Sequence, residues 1–441
     1  MSWLQRYRLS DYFRRSIWIL PVLGMVVALW AVRMLHGIET AMGWKSSFDP
    51  STTLTLLATL ASAMFTLIVF VCSALLITVQ LAGAQLTPRV IGLVLQNRFM
   101  KLSLTLFVFT FTFTLAALVR IKRGVPPLTT SVGVYSCLAS LGVFFYLVDC
   151  VCAALRPSGA LRSVARLGRR VIEDVYPRRL SESQDATSLP AEALSGKLPS
   201  TVPNLREGVV LAFDLEGLVS LAQRADCVIE LVPQVGDFVA ADQPLFRIFG
   251  DGTPPPAAAL HQSVAVGSER TLRQDPAFAF RILVDIASKG LSPAINDPTT
   301  AVLAIDQIQY LLRQIGQRDL NTGRAKDARG VVRLLYRTPD WEDFVYLAVT
   351  EIRQFGGTSI QVARRLRAML ESLIQTLPEQ RTAVLRLELD LLDRSSKRFF
   401  ADAEDRAMAE VSDFQGVGGT PSPSTTPEGN PPSKLAERTR T

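Results

Sequence analysis

Four long uncharged runs dominate the first third of the chain. Ser16 to Val32 holds 17 residues without a charge, and Ser51 to Pro88 holds 38, apolar chiefly over Leu54 to Val79. Leu102 to Val119 holds 18 and Gly124 to Val148 holds 25. A helix needs about 20 mostly apolar residues to cross the hydrocarbon of a bilayer, so each run predicts one crossing. The alternative is four buried helices of a large soluble core. It fits poorly with Trp18, Trp30, Trp44 and Tyr146 near the ends of the runs, where interfacial aromatics collect. The alternation from Phe109 to Thr114 has a period of two. An isolated strand in lipid leaves its backbone unsatisfied, so a helix is expected there too, with threonine hydroxyls bonded to its own carbonyls.

The basic leader before the first run (Arg6, Arg8, Arg14, Arg15) would suit a secretory signal. However, Arg33, Met34, Leu35 and His36 follow Val32 where a small-residue cleavage site would stand, which predicts an uncleaved first helix. Twelve basic residues fall on one side if the N-terminus is cytoplasmic: the four of the leader, then Arg89, Arg98 and Lys101, then Arg156, Arg162, Arg166, Arg169 and Arg170. Five fall opposite: Arg33, Lys45, Arg120, Lys122 and Arg123. Positive residues stay inside, so both termini are expected in the cytoplasm of a multi-pass protein of a bacterial inner membrane. Five cysteines without paired spacing agree with a reducing compartment.

Small residues four apart (Gly24 with Ala28, Ala58 with Ser62, Ser136 with Ser140) predict close helix packing. Asp149 is the acid that falls within an expected span. Such acids are costly and often functional. A partner among the arginines at the cytoplasmic helix end is the competing explanation. Between the second and third spans, Thr87-Pro88 reads as a helix start. Val90, Ile91, Val94, Leu95 and Phe99 then follow at helical spacing, either an interfacial amphipathic helix or a plain connector.

Beyond Leu155 the pattern changes. Arg156 to Leu180 carries seven basic and two acidic residues, with Leu161, Val164, Ala165, Leu167, Val171 and Ile172 in helical period. A basic helix directly after a span is expected to contact anionic lipid rather than nucleic acid. Ser181 to Pro203 reads as a linker. Strands are predicted over Gly208–Phe213 and Cys227–Val232, with a short helix over Leu215–Ala225 between them. The following run, PQVGDFVAADQPLFRIF, resembles half of the barrel-sandwich modules of biotinyl and lipoyl carriers. Residues 207–249 contain no lysine, so covalent attachment of either cofactor is not expected and a structural β unit remains.

Next comes GSERTLRQDPAFAFRILVDIASKGLSPAINDPTTAVLAIDQIQYLLRQI, residues 267–315. A helix is predicted from Arg270 through Ile286, ended by Gly290 and Pro293. Another is predicted from Pro298, with Asp297 as its N-cap. The string DIASKGLSPAINDPTTA with the upstream RTLRQDPAF closely resembles the bacterial predicted-membrane-protein family called domain of unknown function 2254. The resemblance runs to about residue 400 and includes the four spans and VGDFV. It implies an inner-membrane protein and brings no activity, substrate or catalytic residue with it.

Within this stretch Arg270, Arg273, Asp275, Arg281, Asp285, Ser292, Asn296 and Asp297 form a candidate polar corner. Helix N-terminal amides beside Arg273 and Arg281 would suit an anion. The competing explanation is a helix cap with buried ion pairs. His36 and His261 stand apart, and no phosphate loop, nucleophile elbow or Cys/His pair occurs, so no metal, cofactor or catalytic residue is expected.

Helical stripes close the chain: Trp341–Phe355, then Val362 to Leu373 after a cap at Thr358, then Glu379–Glu410. Gln415–Thr441, rich in Pro, Gly, Ser and Thr, is expected to be disordered. The predicted fold is therefore an α-helical integral membrane protein with four transmembrane helices and a cytoplasmic mainly-α domain containing a small β module. Residues 1–155 are the membrane domain, with spans about 16–35, 54–79, 102–120 and 128–154. Then come 156–203, juxtamembrane helix and linker; 204–260, the β module; 261–412, the helical domain; and 413–441, the tail.

Composition sharpens this. The 441 residues carry 47 basic and 40 acidic side chains, +7. Residues 1–155 hold 12 and 4 of these, and residues 156–441 hold 35 and 36. The excess is a basic collar near the spans, which argues against a nucleic-acid binder. A non-enzymatic scaffold or sensor that presents a ligand- or partner-binding cytoplasmic domain is the preferred function, with a homo-oligomer and the lipid bilayer as expected partners. The alternatives are an oligomeric channel or transporter, with Asp149 and the Thr-rich third span on a path, and an enzyme acting near the membrane surface.

Overall fold

The computed structural model describes residues 1–43, 49–85, 87–89, 92, 98–120, 127–182, 199–250, 252–320 and 323–419. The expectations for Trp44, Lys45, Lys122, Arg123, most of the 87–99 connector, most of the linker and the tail past 419 lie outside these residues. The described chain divides into two units, Met1–Ile282 with Asp319–Thr338, and Leu283–Arg318 with Pro339–Thr441.

The first unit begins with a helix in the basic leader, where no apolar run stands. Ser2 and Gln5 form a reciprocal capping box that starts helix α1, Trp3–Arg15. Four helices long and apolar enough to cross a membrane follow: α2 (Ile19–Met42), α3 (Pro50–Gln85), α4 (Arg98–Arg120) and α5 (Pro127–Leu155). They match the four runs, with α2 and α3 longer than the apolar cores alone suggest. Asp49 starts α3 as its cap: its carboxylate accepts from Thr52 N at 3.0 Å and from the Ser51 and Thr52 hydroxyls. The hydroxyl of Ser51, then the Thr52 amide, hold that carboxyl below its ordinary value.

Helix α4 is the most buried of the four and packs on α2, α3 and α5. Gly24 makes the closest approach; a Cβ there would stand 2.9 Å from Thr105 Cγ2 and 3.1 Å from Thr105 O. Gly24, Ala28 and Val32 are all buried on one face of α2, as the small-residue spacing predicts. Thr110 and Ser140 meet at 3.0 Å across α4 and α5, and Thr114 Oγ1 donates to Thr110 O at 2.9 Å, so the Phe/Thr run is helical. Two buried charges tie the bundle together. Glu39 of α2 accepts from Thr129 N at 2.8 Å and Thr129 Oγ1 at 2.9 Å, which caps α5 from another helix. Lys101 donates to Arg14 O at 2.6 Å and Ser16 O at 2.7 Å, which satisfies carbonyls at the end of α1.

Helix α6 (Pro157–Val175) begins two residues after α5 and buries Leu161, Val164 and Ile172 while Arg162, Arg166, Arg169 and Arg170 stay exposed. The strands then form two sheets. One has the order β1 (Ser200–Pro203), β5 (Pro244–Phe249), β3 (Val228–Leu231), β8 (Val332–Tyr336), β7 (Arg324–Lys326). The other is β4 (Phe238–Val239), β2 (Gly208–Phe213), β6 (Val264–Gly267). Helix α7 (Leu215–Arg224), capped by Asp214, contributes Leu218 and Ala222 to a core with Ile229, Phe246, Ile248 and Leu334.

The β unit is thus not the contiguous 204–260 segment, and 261–412 is not wholly helical. Strand β8 returns from residue 332 to pair in parallel with β3, Ile229 beside Leu334. Strands this short carry too few positions for a period. The β7–β8 turn is set instead by Asp327, whose carboxylate accepts from Arg329 N, Val331 N and Arg333 Nε, and by Gly330 at φ +81°. The segment 257–282 adds a short helix α8 (Ala257–His261), β6 and the start of α9 (Pro276–Gly290).

In the second unit, α10 (Pro298–Gly316), α11 (Trp341–Phe355), α12 (Ile360–Thr376), α13 (Thr382–Phe399) and α14 (Ala403–Ala409) pack around α12. Ser359, one residue past the expected Thr358, caps α12. The expected 379–410 helix breaks in two, because Arg406 Nη1 takes the carbonyls of Phe400 and Ala401 at 3.0 and 2.6 Å. Residues 413–419 have a defined path: Asp413 accepts from the amides of Gln415, Gly416 and Gly418.

Candidate functional site

The eight residues of the expected corner divide between the two units. Arg270, Arg273, Asp275 and Arg281 belong to the first, and Asp285, Ser292, Asn296 and Asp297 to the second. In the second unit the roles are local. Asp297 caps α10 through Thr300 N at 3.0 Å, as the Asp-Pro pair predicts. Ser292 Oγ donates to Lys289 O at 2.7 Å, and Asn296, exposed and at φ +48°, completes the turn through its amide to Ser292 O at 2.8 Å. Asp285 lies in α9.

In the first unit the RTLRQDP run behaves differently from expectation. The predicted helix from Arg270 is absent before Pro276; residues 268–275 are irregular, and Asp275 caps α9 by accepting from Phe278 N at 3.0 Å. Asp275-Pro276 is the same cap-then-proline signature as Asp297-Pro298, read one helical segment too early. The buried Asp275 also pairs with Arg270 at 2.7 Å. Burial pushes its carboxyl above the ordinary value, and Arg270 opposes that rise. Gly236 of VGDFV sits at φ +98° against the Arg270 guanidinium, so that a side chain there would collide with it. Two separate parts of the signature therefore meet. Arg273 reaches back to the leader: Nη1 donates to Tyr7 O at 3.3 Å, Nη2 to Ser10 Oγ at 2.6 Å, and the guanidinium lies 4.4 Å from the Tyr7 ring centre. Arg281 occupies the first part of α9.

These contacts wall a cavity of about 1160 Å³. Helix α1 gives it one face at helical spacing, Trp3, Tyr7, Ser10 and Arg14 with Arg6 beside them; α6 gives Leu167, Arg170, Val171 and Asp174; and the run 268–274 gives the third side. Arg89 and Arg270 both lie over Phe278, at 5.9 and 5.6 Å. Seven arginines and three acids line the space. Among the described residues, the side chains of Arg6, Arg14 and Arg170 make no ion pair or hydrogen bond, whereas Arg15 is paired with Asp11 at 2.8 Å. The hydroxyls of Tyr7 and Thr271 are buried without a hydrogen-bond partner.

Of the expected corner, Arg270 and Arg273 line this cavity, and α1, which lies outside that corner, lines it with them. The clue available was the recurrence of Trp3, Tyr7, Ser10 and Arg14 on one helical face behind a Ser2/Gln5 capping box. Asp149 is exposed on α5 rather than enclosed among the four helices.

A first unit with four long apolar helices, two small sheets and an arginine-lined cavity at the helix ends, and a second unit that is helical, are the features of a predicted membrane protein. The chain belongs to the family described as "Predicted membrane protein (DUF2254)", whose pattern matches residues 14–372. It is similar to uncharacterized protein Rv1290c of Mycobacterium tuberculosis and to uncharacterized protein Mb1321c of Mycobacterium bovis. Each is 25% identical over 423 residues, covering 92% of this chain and 80% of the relative. No solved structure matches the chain.

Proposed function

We propose that the chain is a four-span protein of the bacterial inner membrane, with both termini in the cytoplasm, that works as a non-enzymatic sensor or scaffold by binding an anionic ligand. The arginine-lined cavity carries this reading. Three guanidiniums without a partner, at a cavity with four more arginines than acids, favour a negatively charged occupant. The walls come from the leader, from the helix that follows the last span and from RTLRQDP, so an occupant touches both the anchor and the cytoplasmic portion. Support for the spans is the exposed apolar belt on α2 to α5, for example Val26, Phe70, Leu138 and Phe145, with Trp18 exposed at the start of α2.

The test is thermal unfolding of the full chain in neutral detergent, at constant ionic strength, with phosphate-bearing anions supplied both in solution and as lipid. The reading expects a raised midpoint with at least one of them, reduced when Arg6 and Arg170 are both changed to Gln. A midpoint that no such anion moves would overturn it.

A further inference from the structure

We infer that the cavity takes a phosphorylated amphiphile: a phosphate ester head bearing at least two negative charges, joined to an apolar body. This rests on the anion-binding reading above and adds the ligand's chemistry and source.

The charge sets the head. Arg6, Arg14 and Arg170 present planar, multi-donor forks without a carboxylate, and such forks match phosphate oxygens two at a time. Tyr7 and Thr271 also line the space, and their hydroxyls, buried in its walls, have no partner within the protein. A monoanion would leave most of this donor set unmatched. Arg270 and Arg273 serve as walls rather than first contacts, because Asp275 holds one and Ser10 and Tyr7 hold the other.

The apolar walls set the body. Leu167 and Val171 of α6, Val209 and Ala212 of β2, and Leu272 and Ile282 line the same cavity. At about 1160 Å³ it is as large as the pockets that enclose whole organic ligands, far beyond what a free phosphate fills. Soluble sugar phosphates bring no apolar part to such walls.

Position favours a lipid as the source. Arg14 and Arg15 stand within about a turn of the start of α2, Pro88 and Arg89 follow the end of α3, and α6 starts two residues after α5. If α2 to α5 span the bilayer, the cavity lies at the cytoplasmic headgroup level, where anionic phospholipid is concentrated.

The experiment is a titration of the full chain in neutral detergent with dihexanoyl phosphatidic acid, glycerol phosphate, inorganic phosphate and, as zwitterionic control, dihexanoyl phosphatidylcholine. Phosphatidic acid is expected to bind at least about tenfold more tightly than glycerol phosphate, and phosphatidylcholine not at all. Loss of a charged hydrogen bond predicts about a tenfold weakening for each of Arg6→Gln and Arg170→Gln. Leu272→Asn is expected to weaken phosphatidic acid while leaving glycerol phosphate unchanged. Equal binding of glycerol phosphate and phosphatidic acid would assign the site to soluble phosphate esters and overturn the lipid assignment alone. Phosphatidic acid binding that survives the double Arg6→Gln/Arg170→Gln change would place it elsewhere and overturn the site. Binding of none of the four would remove the anion reading as well.

Discussion

In the second unit, Arg353 ends on Glu388 at 3.0 Å with both side chains buried, and Arg365 ends on Asp306 at 2.8 Å. There too Arg367 pairs with Asp393, and the buried Arg364 donates to the carbonyls of Val411 and Gly419. In the first unit, Arg6, Arg14 and Arg170 face a cavity with no carboxylate or carbonyl holding their guanidiniums. The same side chain is used in one region to fix packing and in the other is left available. A buried guanidinium without partners would be prohibitively costly, so every buried arginine of α12 is matched. A solvated guanidinium bears no such cost, and leaving it unmatched conserves its donors for an incoming group.

The contrast breaks most visibly at the matched end. Glu388→Ala leaves Arg353 buried and uncompensated, and should destabilise the protein by about 3–5 kcal/mol in denaturant unfolding. A loss under 1 kcal/mol would mean that the pair is a bystander. Arg273 is intermediate, tied to α1 by one hydroxyl, one carbonyl and one ring. Arg273→Ala should cost about 1–2 kcal/mol, read as faster amide exchange in α1. Unchanged exchange there would show that the Lys101 contacts hold α1 alone.

The Asp327–Arg333 pair gives a smaller effect with a pH signature. The Arg333 hydrogen bond, then the Val331 and Arg329 amides, hold the Asp327 carboxyl below its ordinary 3.8. The same bond, with Asp226, holds the Arg333 guanidinium above its ordinary value. Because the folded-state value of the acid is depressed, its stabilisation is complete above 3.8 and is lost as pH falls through the folded value. Asp327→Asn should therefore lower stability at neutral pH, with the gap to wild type closing in acid. A gap independent of pH would deny the charge any part. Smallest of all, Arg6→Gln and Arg170→Gln should each change stability by no more than about 0.5 kcal/mol, measured without ligand. A larger loss would move these arginines into the structural class and sharpen the comparison against the proposed site.

Much of this arrangement is readable before any coordinates. Uncharged runs of sufficient length locate α2 to α5, the 3.6-residue stripe locates α6, and Asp-Pro pairs mark the starts of α9 and α10. Proline after aspartate is a purely local signal, and for that reason it outperforms the longer periodic pattern that places a helix across RTLRQDP. The rest depends on contacts distant in sequence. Ser10 and Arg273 meet across 263 residues, Glu39 caps a helix 90 residues away, and β8 joins β3 from beyond α10. None of these pairings leaves a periodic trace. The buried arginines of α11 and α12 likewise look like a solvated face, because the acids that hold Arg353, Arg365 and Arg367, namely Glu388, Asp306 and Asp393, lie on other helices.

The most direct test of the cavity's role is an experimental structure of the full chain in nanodiscs containing phosphatidic acid. The account predicts density for a phosphate within hydrogen-bonding distance of Arg6, Arg14 or Arg170, with apolar density running along Leu167 and Leu272. A cavity holding only water in that bilayer, with the three guanidiniums turned to carboxylates of the same chain, would contradict it.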